Sequence, residues 1–328
     1  MRAVTMESFG EPKDVLAAAE RPAPEPGAGE VLLELILAPI HNHDLATVRG
    51  VYGYRPPLPA IPGTEAVGRV VALGPDVTAV TIGQRVSVSG IHEAWADRFL
   101  ARADKVVPLP DEVTDETAAQ LLAMPLSALM LLEDLRLEPG DRIVVNAANG
   151  AIGRLLNVLA PKRGVHVVNL VRGPASVEAL TAFGAKTVYD TEAEGWLDQA
   201  RRDAEDAPIA RAVDQVGGPA ADHLLSLLAP GGELISFGAL SGKPITLNPG
   251  PLIFKQAVVK GFWGSRRAEN TSPADLGRLI RELVTLAADG TLTLDVEEVF
   301  PLDSVAEAVT AAERRGRAAK IALAGPAR

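Results

Sequence analysis

Residues 143–153 have the sequence IVVNAANGAIG, and this stretch decides the fold. Its first three residues predict a buried strand, the small residues after them predict a turn, and the following RLLNVLA predicts a helix. Ala148, Gly150 and Gly153 match the dinucleotide-binding fingerprint, with Ala in place of the first Gly. Glycines let the backbone approach a pyrophosphate, and the helix N-terminus directs free N–H groups at its charge. Small residues also fill ordinary strand-to-helix turns, so the context of strand and helix is what favours a cofactor site.

The next predicted strand indicates which dinucleotide is bound. Residues 166–171 (HVVNLV) form this strand, after which NAD-binding domains usually place an acidic residue that bonds the ribose hydroxyls. Arg172 stands there instead, nineteen residues after Gly153, and the first acidic residue is Glu178. A guanidinium pairs strongly with the 2′-phosphate that distinguishes NADP from NAD. A solvated arginine at a strand end is the plainer interpretation, but the missing acid favours NADPH.

The composition is typical of a globular protein with an acidic surface. Of 328 residues, 47% are hydrophobic and 23% charged, the formal net charge is −10, and the length favours two domains. The short basic run of Arg314, Arg315 and Arg317 is typical of a solvated helix end, so we expect no nucleic-acid or membrane partner. The chain has no cysteine, which excludes disulfides and Cys-ligated zinc and fits a cytoplasmic protein. We find no targeting pattern at the N-terminus and no apolar run long enough to span a membrane.

The order of predicted elements indicates an α/β fold. Residues 1–108 are rich in short strands, at 30–38, 66–73 and 85–89, separated by proline-containing loops. After residue 142, strands and helices alternate, which is the pattern of βαβ crossovers in a doubly wound parallel sheet. The last part, from Pro273, predicts a long helix, a strand, a second helix and a closing strand.

Several stretches together resemble the medium-chain dehydrogenase/reductase superfamily over essentially the whole chain. They are PGAGEVLLEL, PGTEAVGRVVALGPDVT, IGQRVSV, LRLEPGDRIVVNAANGAIG, LAPGGELISFGAL and KIALAG. The resemblance implies a GroES-like, β-rich catalytic domain formed by residues 1–117 and 264–328. It also implies an inserted Rossmann domain, residues 118–263, that binds NADPH, and a homodimer formed through the edge of the Rossmann sheet.

The metal-binding positions of the superfamily are substituted in this chain. Zinc alcohol dehydrogenases have a Cys where this chain has His41 and a His where it has Thr64, and their four-Cys lobe is absent. His41, His43 and Glu65 could ligate a metal, but their spacing gives no closed ligand set, so we expect a zinc-free enzyme. Without a Lewis acid, hydrogen-bond donors must stabilise a developing oxyanion or enolate. This favours conjugated acceptors such as enoyl thioesters, enones and quinones.

Within the zinc-free branch, the chain resembles mitochondrial-type trans-2-enoyl thioester (enoyl-CoA/ACP) reductases. The matching stretches are GVYG at 50–53, NAAN at 146–149, NLVR at 169–172, LIFK at 252–255 and GFW at 261–263. The first of these corresponds to a loop whose tyrosine is catalytic in that family, which implies the same role for Tyr52. The resemblance implies hydride transfer to the β-carbon of the thioester, with Tyr52 stabilising the enolate or protonating it.

The resemblance also implies the other site residues. Those expected to bind the cofactor are Asn146, Asn149, Gly150, Ala151, Ile152, Gly153 and Arg172, with Phe237, Gly238 and Ala239 beneath the nicotinamide. Those expected to bind substrate are His41, Trp95, Phe262 and Trp263, although the aromatic residues could equally belong to the core. The chain departs from the family at His41-Asn42-His43, where the family has Asn-Pro-Ser. These imidazoles could supply a proton near neutral pH or could be inert loop residues.

Two other functions stay open at this point. A quinone or enone reductase of the same superfamily would share both the fold and NADPH. A non-catalytic NADPH-binding protein would share the fold without turnover, although the acidic charge argues against a role with nucleic acid.

Overall fold

The computed structural model describes residues 1–314, 316–317 and 319–328, so Arg315 of the basic run lies outside the described residues. The chain divides into two units, which we call the GroES-like unit (1–124 and 280–328) and the Rossmann unit (125–279). Helices α4 (Ala123–Leu135) and α11 (Pro273–Ala288) contain the two boundaries. Within the described residues, no helix combines the length and apolar character needed to cross a membrane.

The elements of the GroES-like unit, numbered in chain order, come from both ends of the chain. Its strands are β1 (Arg2–Met6), β2 (Leu16–Glu20), β3 (Glu30–Pro39), β4 (Glu65–Leu73), β5 (Arg85–Ser89), β6 (Arg98–Arg102), β7 (Val107–Pro108), β14 (Val296–Pro301) and β15 (Lys320–Ala324). Its helices are α1 (Pro12–Val15), α2 (Asn42–Val48), α3 (Asp115–Ala118) and α12 (Val305–Ala312).

One twisted sheet organises this unit, in the order β14-β15-β3-β4-β5-β7, with β6 also paired to β3. The closing strand β15 runs antiparallel to β3, which explains how the chain ends share one domain. The long strand β3 is apolar along nearly its whole length because both of its faces are covered. Leu33, Leu35, Trp95 and Phe99 are among the fully buried side chains of the core beneath it.

The Rossmann unit has the predicted alternation of strands and helices. Its strands are β8 (Arg142–Val145), β9 (His166–Val171), β10 (Thr187–Asp190), β11 (Ile209–Asp214), β12 (Leu228–Ser236) and β13 (Val258–Gly261). Its helices are α5 (Ala151–Leu159), α6 (Pro174–Ala182), α7 (Trp196–Asp206), α8 (Ala220–Leu227), α9 (Pro249–Phe254) and α10 (Gly264–Glu269).

These strands form a parallel sheet in the order β10-β9-β8-β11-β12-β13. The order reverses between β8 and β11, so the crevice at the carboxyl ends of these two strands is where such a sheet binds ligands. Ile143, Val144 and Val145 of β8 are fully buried, as a central parallel strand requires. The fingerprint turn follows directly at the end of β8.

The unit boundaries lie further along the chain than the sequence predicted. The GroES-like unit extends to Met124 rather than 117, because Gln120 donates hydrogen bonds to the Leu294 and Asp295 carbonyls at 3.3 and 3.2 Å. The Rossmann unit extends to 279 rather than 263, because Arg267 pairs with Asp134 of α4 at 2.9 Å. Such long-range side-chain bonds leave no local pattern in the sequence.

Candidate functional site

The turn after β8 is shaped by its backbone. Ala147 adopts a left-handed conformation with φ +47°, which reverses the chain, and the Ala148 N–H donates to the Leu170 carbonyl of β9 at 3.2 Å. A Cβ on Gly153 would lie 2.2 Å from the Ala148 carbonyl oxygen, so only glycine lets α5 start this close to β8. The third glycine of the fingerprint is therefore a packing requirement.

The N-terminus of α5 is suited to an anion. Gly150 is its N-cap residue, and no described side chain caps the helix there. The Asn149 side chain is turned away from this role because its Oδ1 accepts from Arg154 Nη2 at 2.8 Å. The first-turn N–H groups, at Ala151, Ile152 and Gly153, lack intrahelical acceptors and carry the positive end of the helix dipole. These residues fit a pyrophosphate.

Asn146 ties the ends of the two strands at the switch point together. Its Nδ2 donates to Asp214 Oδ1 at 2.6 Å, and its Oδ1 accepts from the Gln215 N–H at 2.7 Å. Asp214 is fully buried, and its carboxylate also accepts from the N–H groups of Val216 and Gly217. The Asn146 side chain thus braces the crevice. Asp214 and Gln215 were missed from the sequence, although an acid at a strand end before two glycines could have indicated them.

The loop after β12 lies over the same strand ends. The N–H groups of Phe237 and Gly238 donate to the Asp214 carbonyl at 2.8 and 3.1 Å. A Cβ on Gly238 would lie 2.9 Å from the Gln215 carbonyl oxygen, so the two loops approach as only glycine allows. The structure therefore brings Phe237, Gly238 and Ala239 to the edge of the sheet that carries the fingerprint turn.

Arg172 lies directly after β9 on the same edge. It is exposed and makes no ion pair or hydrogen bond with any residue that the structure describes. The N–H of the next residue, Gly173, donates to Asp190 Oδ1 at 2.7 Å, which fixes the loop that carries the guanidinium. The arginine is available to a phosphate beside the turn.

Phe262 and Trp263, predicted to bind substrate, follow the edge strand β13. The Phe262 ring stacks on Phe237, with centroids 5.4 Å apart, and Trp263 is 47% exposed. The preceding LIFK stretch has a structural role, because Lys255 Nζ donates to the carbonyls of Ser226 and Leu228 at 2.7 Å each and caps the end of α8.

A second polar arrangement, entirely within the GroES-like unit, surrounds the start of α2. We call His41, His43, Asp44, Thr64 and Glu65 the imidazole–carboxylate cluster. His41 and Glu65 are buried, with the His41 Nε2 atom 2.7 Å from Glu65 Oε2. Glu65 Oε1 accepts from the N–H groups of Leu122 and Ala123, each at 2.7 Å.

Burial perturbs both partners of this pair. Desolvation raises the pKa of Glu65 to about 8, against the opposing effect of the two backbone N–H donors. Desolvation also lowers the pKa of His41 well below its ordinary value, so this imidazole is neutral. A single proton is enough for a hydrogen bond between them. Either protonated Glu65 donates to the His41 Nε2 atom, or the His41 Nε2–H donates to the Glu65 carboxylate. The His41 Nδ1 atom has no hydrogen-bond partner in the described part of the chain.

The other half of the cluster reaches the surface. Thr64 Oγ1 lies 2.7 Å from both Asp44 Oδ1 and His43 Nε2, and the His43 side chain is 21% exposed. The ring of His43 stacks on that of His41, with centroids 4.8 Å apart. Asp44 and Thr64 were not predicted as functional residues, and the sequence indicated Thr64 only as a substituted zinc-ligand position.

Tyr52 lies beside this cluster in the loop after α2. Its N–H donates to the Ala46 carbonyl at 3.2 Å, and Gly50, with φ +72°, turns the chain just before it. The half-buried Tyr52 ring is 5.8 Å from that of His43, centroid to centroid. The structure therefore places the predicted catalytic tyrosine next to a titratable imidazole.

Trp95 and His41 differ from what a ligand-contacting residue requires. Trp95 is fully buried in the core of the GroES-like unit, where its Cδ1 would lie 2.4 Å from a Cβ placed on Gly63. His41 is 1% exposed and its Nε2 is engaged by Glu65. Neither side chain has exposed surface that a substrate could contact.

The described residues contain no group of three or more His, Asp or Glu side chains placed to hold a metal ion. In the cluster, the His41 Nε2 lone pair or proton is already used in the contact with Glu65.

Comparison with known proteins agrees with the two-unit architecture. The family described as "Alcohol dehydrogenase GroES-like domain" matches residues 27–111, and the family described as "Zinc-binding dehydrogenase" matches residues 151–282. The mitochondrial enoyl-[acyl-carrier-protein] reductase of Rattus norvegicus is 30% identical over 319 residues, which cover 95% of this chain and 85% of the relative. The Bos taurus enzyme of the same name is 32% identical over 310 residues, covering 92% and 83%.

Solved structures show the same fold. The Escherichia coli quinone oxidoreductase complexed with NADPH matches with a TM-score of 0.89 and 25% identity, covering 99% of this chain and 100% of that chain. A quinone oxidoreductase of Pseudomonas syringae matches with a TM-score of 0.88 and 26% identity, covering 98% and 99%. The chain belongs to the medium-chain dehydrogenase/reductase superfamily.

Proposed function

We propose that this protein is a zinc-independent, NADPH-dependent reductase of trans-2-enoyl thioesters. The observation that carries the proposal is the kinship, over nearly the whole chain, with enoyl-[acyl-carrier-protein] reductases. It is supported by Tyr52, which lies beside the imidazole–carboxylate cluster at the position where that family has a catalytic tyrosine.

The Rossmann unit has the features that NADPH needs. The first-turn N–H groups of α5 and the glycines Gly150 and Gly153 would hold the pyrophosphate, and Arg172 would pair with the 2′-phosphate. Phe237, Gly238 and Ala239 would face the nicotinamide end. Bound NADPH supplies the hydride that reduces the β-carbon of the acceptor.

Residues of the protein must then stabilise the negative charge that hydride addition creates. Hydride addition at the β-carbon leaves an enolate whose oxygen needs a hydrogen-bond donor and whose α-carbon needs a proton. A phenol hydroxyl donates hydrogen bonds, so Tyr52 Oη serves as the donor. Phe262 and Trp263 would line the acyl side of the substrate.

The proposal is tested by following NADPH oxidation with crotonyl-CoA, a longer enoyl-CoA and a benzoquinone side by side. We expect turnover of both thioesters, and a fall in kcat of about 10²-fold or more in Tyr52→Phe, the scale of a lost proton or oxyanion donor. Tyr54→Phe is the matched control, since Tyr54 stacks on His92 outside the cluster. Undiminished turnover in Tyr52→Phe would remove the tyrosine from the mechanism.

A quinone reductase is the second candidate, favoured by the solved structures of NADPH-complexed and other quinone oxidoreductases. A quinone is reduced at oxygen, so it needs no proton at carbon and depends less on Tyr52. Robust benzoquinone turnover without any thioester turnover would replace the first candidate with this one. NADPH binding without turnover of any acceptor would instead indicate a non-catalytic protein.

We also propose that the protein is a cytoplasmic homodimer. The supporting feature is the edge strand β13, on which Val258 and Val259 are 47% and 37% exposed. A sheet edge with exposed apolar residues favours pairing with another strand. Light scattering on the purified chain measures the mass that decides this.

A further inference from the structure

Hydrogen bonding in the imidazole–carboxylate cluster fixes where protons lie on His43. Thr64 has one hydroxyl hydrogen and two close partners, Asp44 Oδ1 and His43 Nε2, each at 2.7 Å. A carboxylate only accepts, and Asp44 Oδ2 already accepts from the His41 N–H at 3.0 Å. The Thr64 hydrogen is therefore donated to Asp44, which leaves the Thr64 oxygen as an acceptor.

His43 must then donate to Thr64 through Nε2–H. This nitrogen keeps its proton whether the imidazole is neutral or charged, so Nδ1 is the atom that gains and loses a proton. Asp44 Oδ1 also lies 3.7 Å from His43 Nε2. Asp44 and Thr64 thus orient the ring of His43.

The neighbours of His43 and its solvent exposure determine where the proton on Nδ1 can come from and go to. Its ring lies between the neutral, buried His41 and the half-buried Tyr52, with centroid distances of 4.8 and 5.8 Å. The charged or titratable groups around it are His41, Asp44 and Tyr52, with Glu65 behind His41. Lys320 of β15 also acts electrostatically on His41, Asp44 and Glu65, and desolvation lowers the pKa of this lysine to about 8. The His43 side chain is 21% exposed, whereas that of His41 is 1% exposed. Of these two histidines in the cluster, only His43 can therefore exchange protons with water.

We propose that His43 is the proton donor of the reduction, while Tyr52 donates a hydrogen bond to the enolate oxygen; this rests on the proposed function. The electron pair of the hydride becomes the new C–H bond at the β-carbon, and the π electrons of the double bond move into the enolate. The proton on His43 Nδ1 then forms the C–H bond at the α-carbon. His43 is left neutral, still bonded to Thr64 through Nε2–H, and regains its proton from water.

Acid strength supports this division of roles. An imidazolium is a stronger acid than a phenol by about 3.5 pKa units in their ordinary states. Proton transfer to carbon is faster from the stronger acid, provided that the acid is still protonated at working pH. The phenol is better suited to donate a hydrogen bond that it never releases.

His43→Gln tests the proposal, because a glutamine amide can still donate to Thr64 but carries no titrating proton. With crotonyl-CoA we expect kcat to fall about 10²-fold or more, the scale of a lost general acid, with NADPH affinity unchanged. The pH profile of kcat should differ between wild type and His43→Gln, because the variant has no imidazole to supply the proton. The matched control is His92→Gln, whose exposed histidine stacks on Tyr54 and should behave as wild type.

Thr64 provides a second variant pair. Thr64→Val keeps the shape but removes the oxygen that holds Nε2–H, so we expect a partial loss of kcat, whereas Thr64→Ser should restore it. Unchanged kcat and an unchanged pH profile in His43→Gln would overturn the proposal while wild-type turnover upheld the proposed function. If wild type reduced no enoyl thioester, both would fall together.

The proton position has a test that does not depend on activity. In ¹⁵N NMR of wild-type protein labelled at histidine, neutral His43 should carry its proton on Nε2, with Nδ1 bare. A proton on Nδ1 would contradict the hydrogen-bond arrangement even if a variant failed to fold.

Discussion

The fingerprint turn of the Rossmann unit and the imidazole–carboxylate cluster of the GroES-like unit are built in opposite ways. In the turn, function rests on the backbone: one left-handed residue, an uncapped helix N-terminus, and glycines where a Cβ would collide with a carbonyl. In the cluster, buried side chains from α2 and from the start of β4 satisfy each other's hydrogen bonds. The difference teaches that the turn depends on residue size and the cluster depends on the identity of each polar atom.

The largest effect should come from breaking the cluster at Glu65. Glu65→Ala removes the acceptor of the Leu122 and Ala123 N–H groups and the hydrogen-bond partner of the His41 ring inside the core. Removing one partner of such a buried arrangement costs about 3–5 kcal/mol, so we expect that loss in the free energy of unfolding, measured by urea denaturation. Glu65→Gln is the control, since its amide oxygen still accepts from both N–H groups. Equal losses in the two variants would mean that hydrogen bonding is not what the cluster contributes.

The same residue predicts a pH dependence. The pKa of Glu65 rises from 4.5 to about 8 on burial, so the folded state binds the proton more tightly than the unfolded state does. This contribution is fully present below pH 4.5 and is lost as pH rises through 8. As pH rises from 4.5 through 8, the free energy of unfolding of wild type should therefore fall relative to that of Glu65→Gln. A flat difference would contradict the raised pKa.

A smaller effect should follow from Arg172, the one charged side chain proposed to act beside the backbone-built turn. Arg172→Ala removes a charge-assisted bond to the 2′-phosphate, worth about 1.5–3 kcal/mol, so the Kd for NADPH should rise about 10–100-fold. NADH, which lacks that phosphate, should bind unchanged. Fluorescence titration with both cofactors measures this, with Arg202→Ala on α7 as a matched exposed control. An equal loss of affinity for both cofactors would show that Arg172 has a structural role and does not recognise the 2′-phosphate.

How well the sequence predicts each region follows from the same contrast. Strand β9 was predicted with the bounds that the structure has, and β8 within one residue, because buried parallel strands and glycine turns are local patterns. The contact of His41 with Glu65 joins positions 24 residues apart, and no local pattern encodes it. The sequence indicated His41 as a substituted zinc ligand and a substrate-binding residue, but not as the partner of Glu65. The two units also divide the chain at positions other than the predicted ones, and Gln120 and Arg267 bond to residues far away in the sequence.

The smallest effect concerns Ala147, which adopts a left-handed backbone conformation in the turn although it is not a glycine. Ala147 has φ +47°, a conformation that costs a residue with a Cβ about 1 kcal/mol, whereas glycine adopts it freely. Glycine also loses about 0.5–1 kcal/mol through the entropy of the unfolded chain, so Ala147→Gly should be neutral or stabilise by about 0.5 kcal/mol. Ala148→Gly should instead destabilise by about 1 kcal/mol, because Ala148 is fully buried and not left-handed. Thermal unfolding of the two variants separates the effect of backbone conformation from that of side-chain burial. Equal losses of stability in both variants would show that the methyl group is needed at both positions.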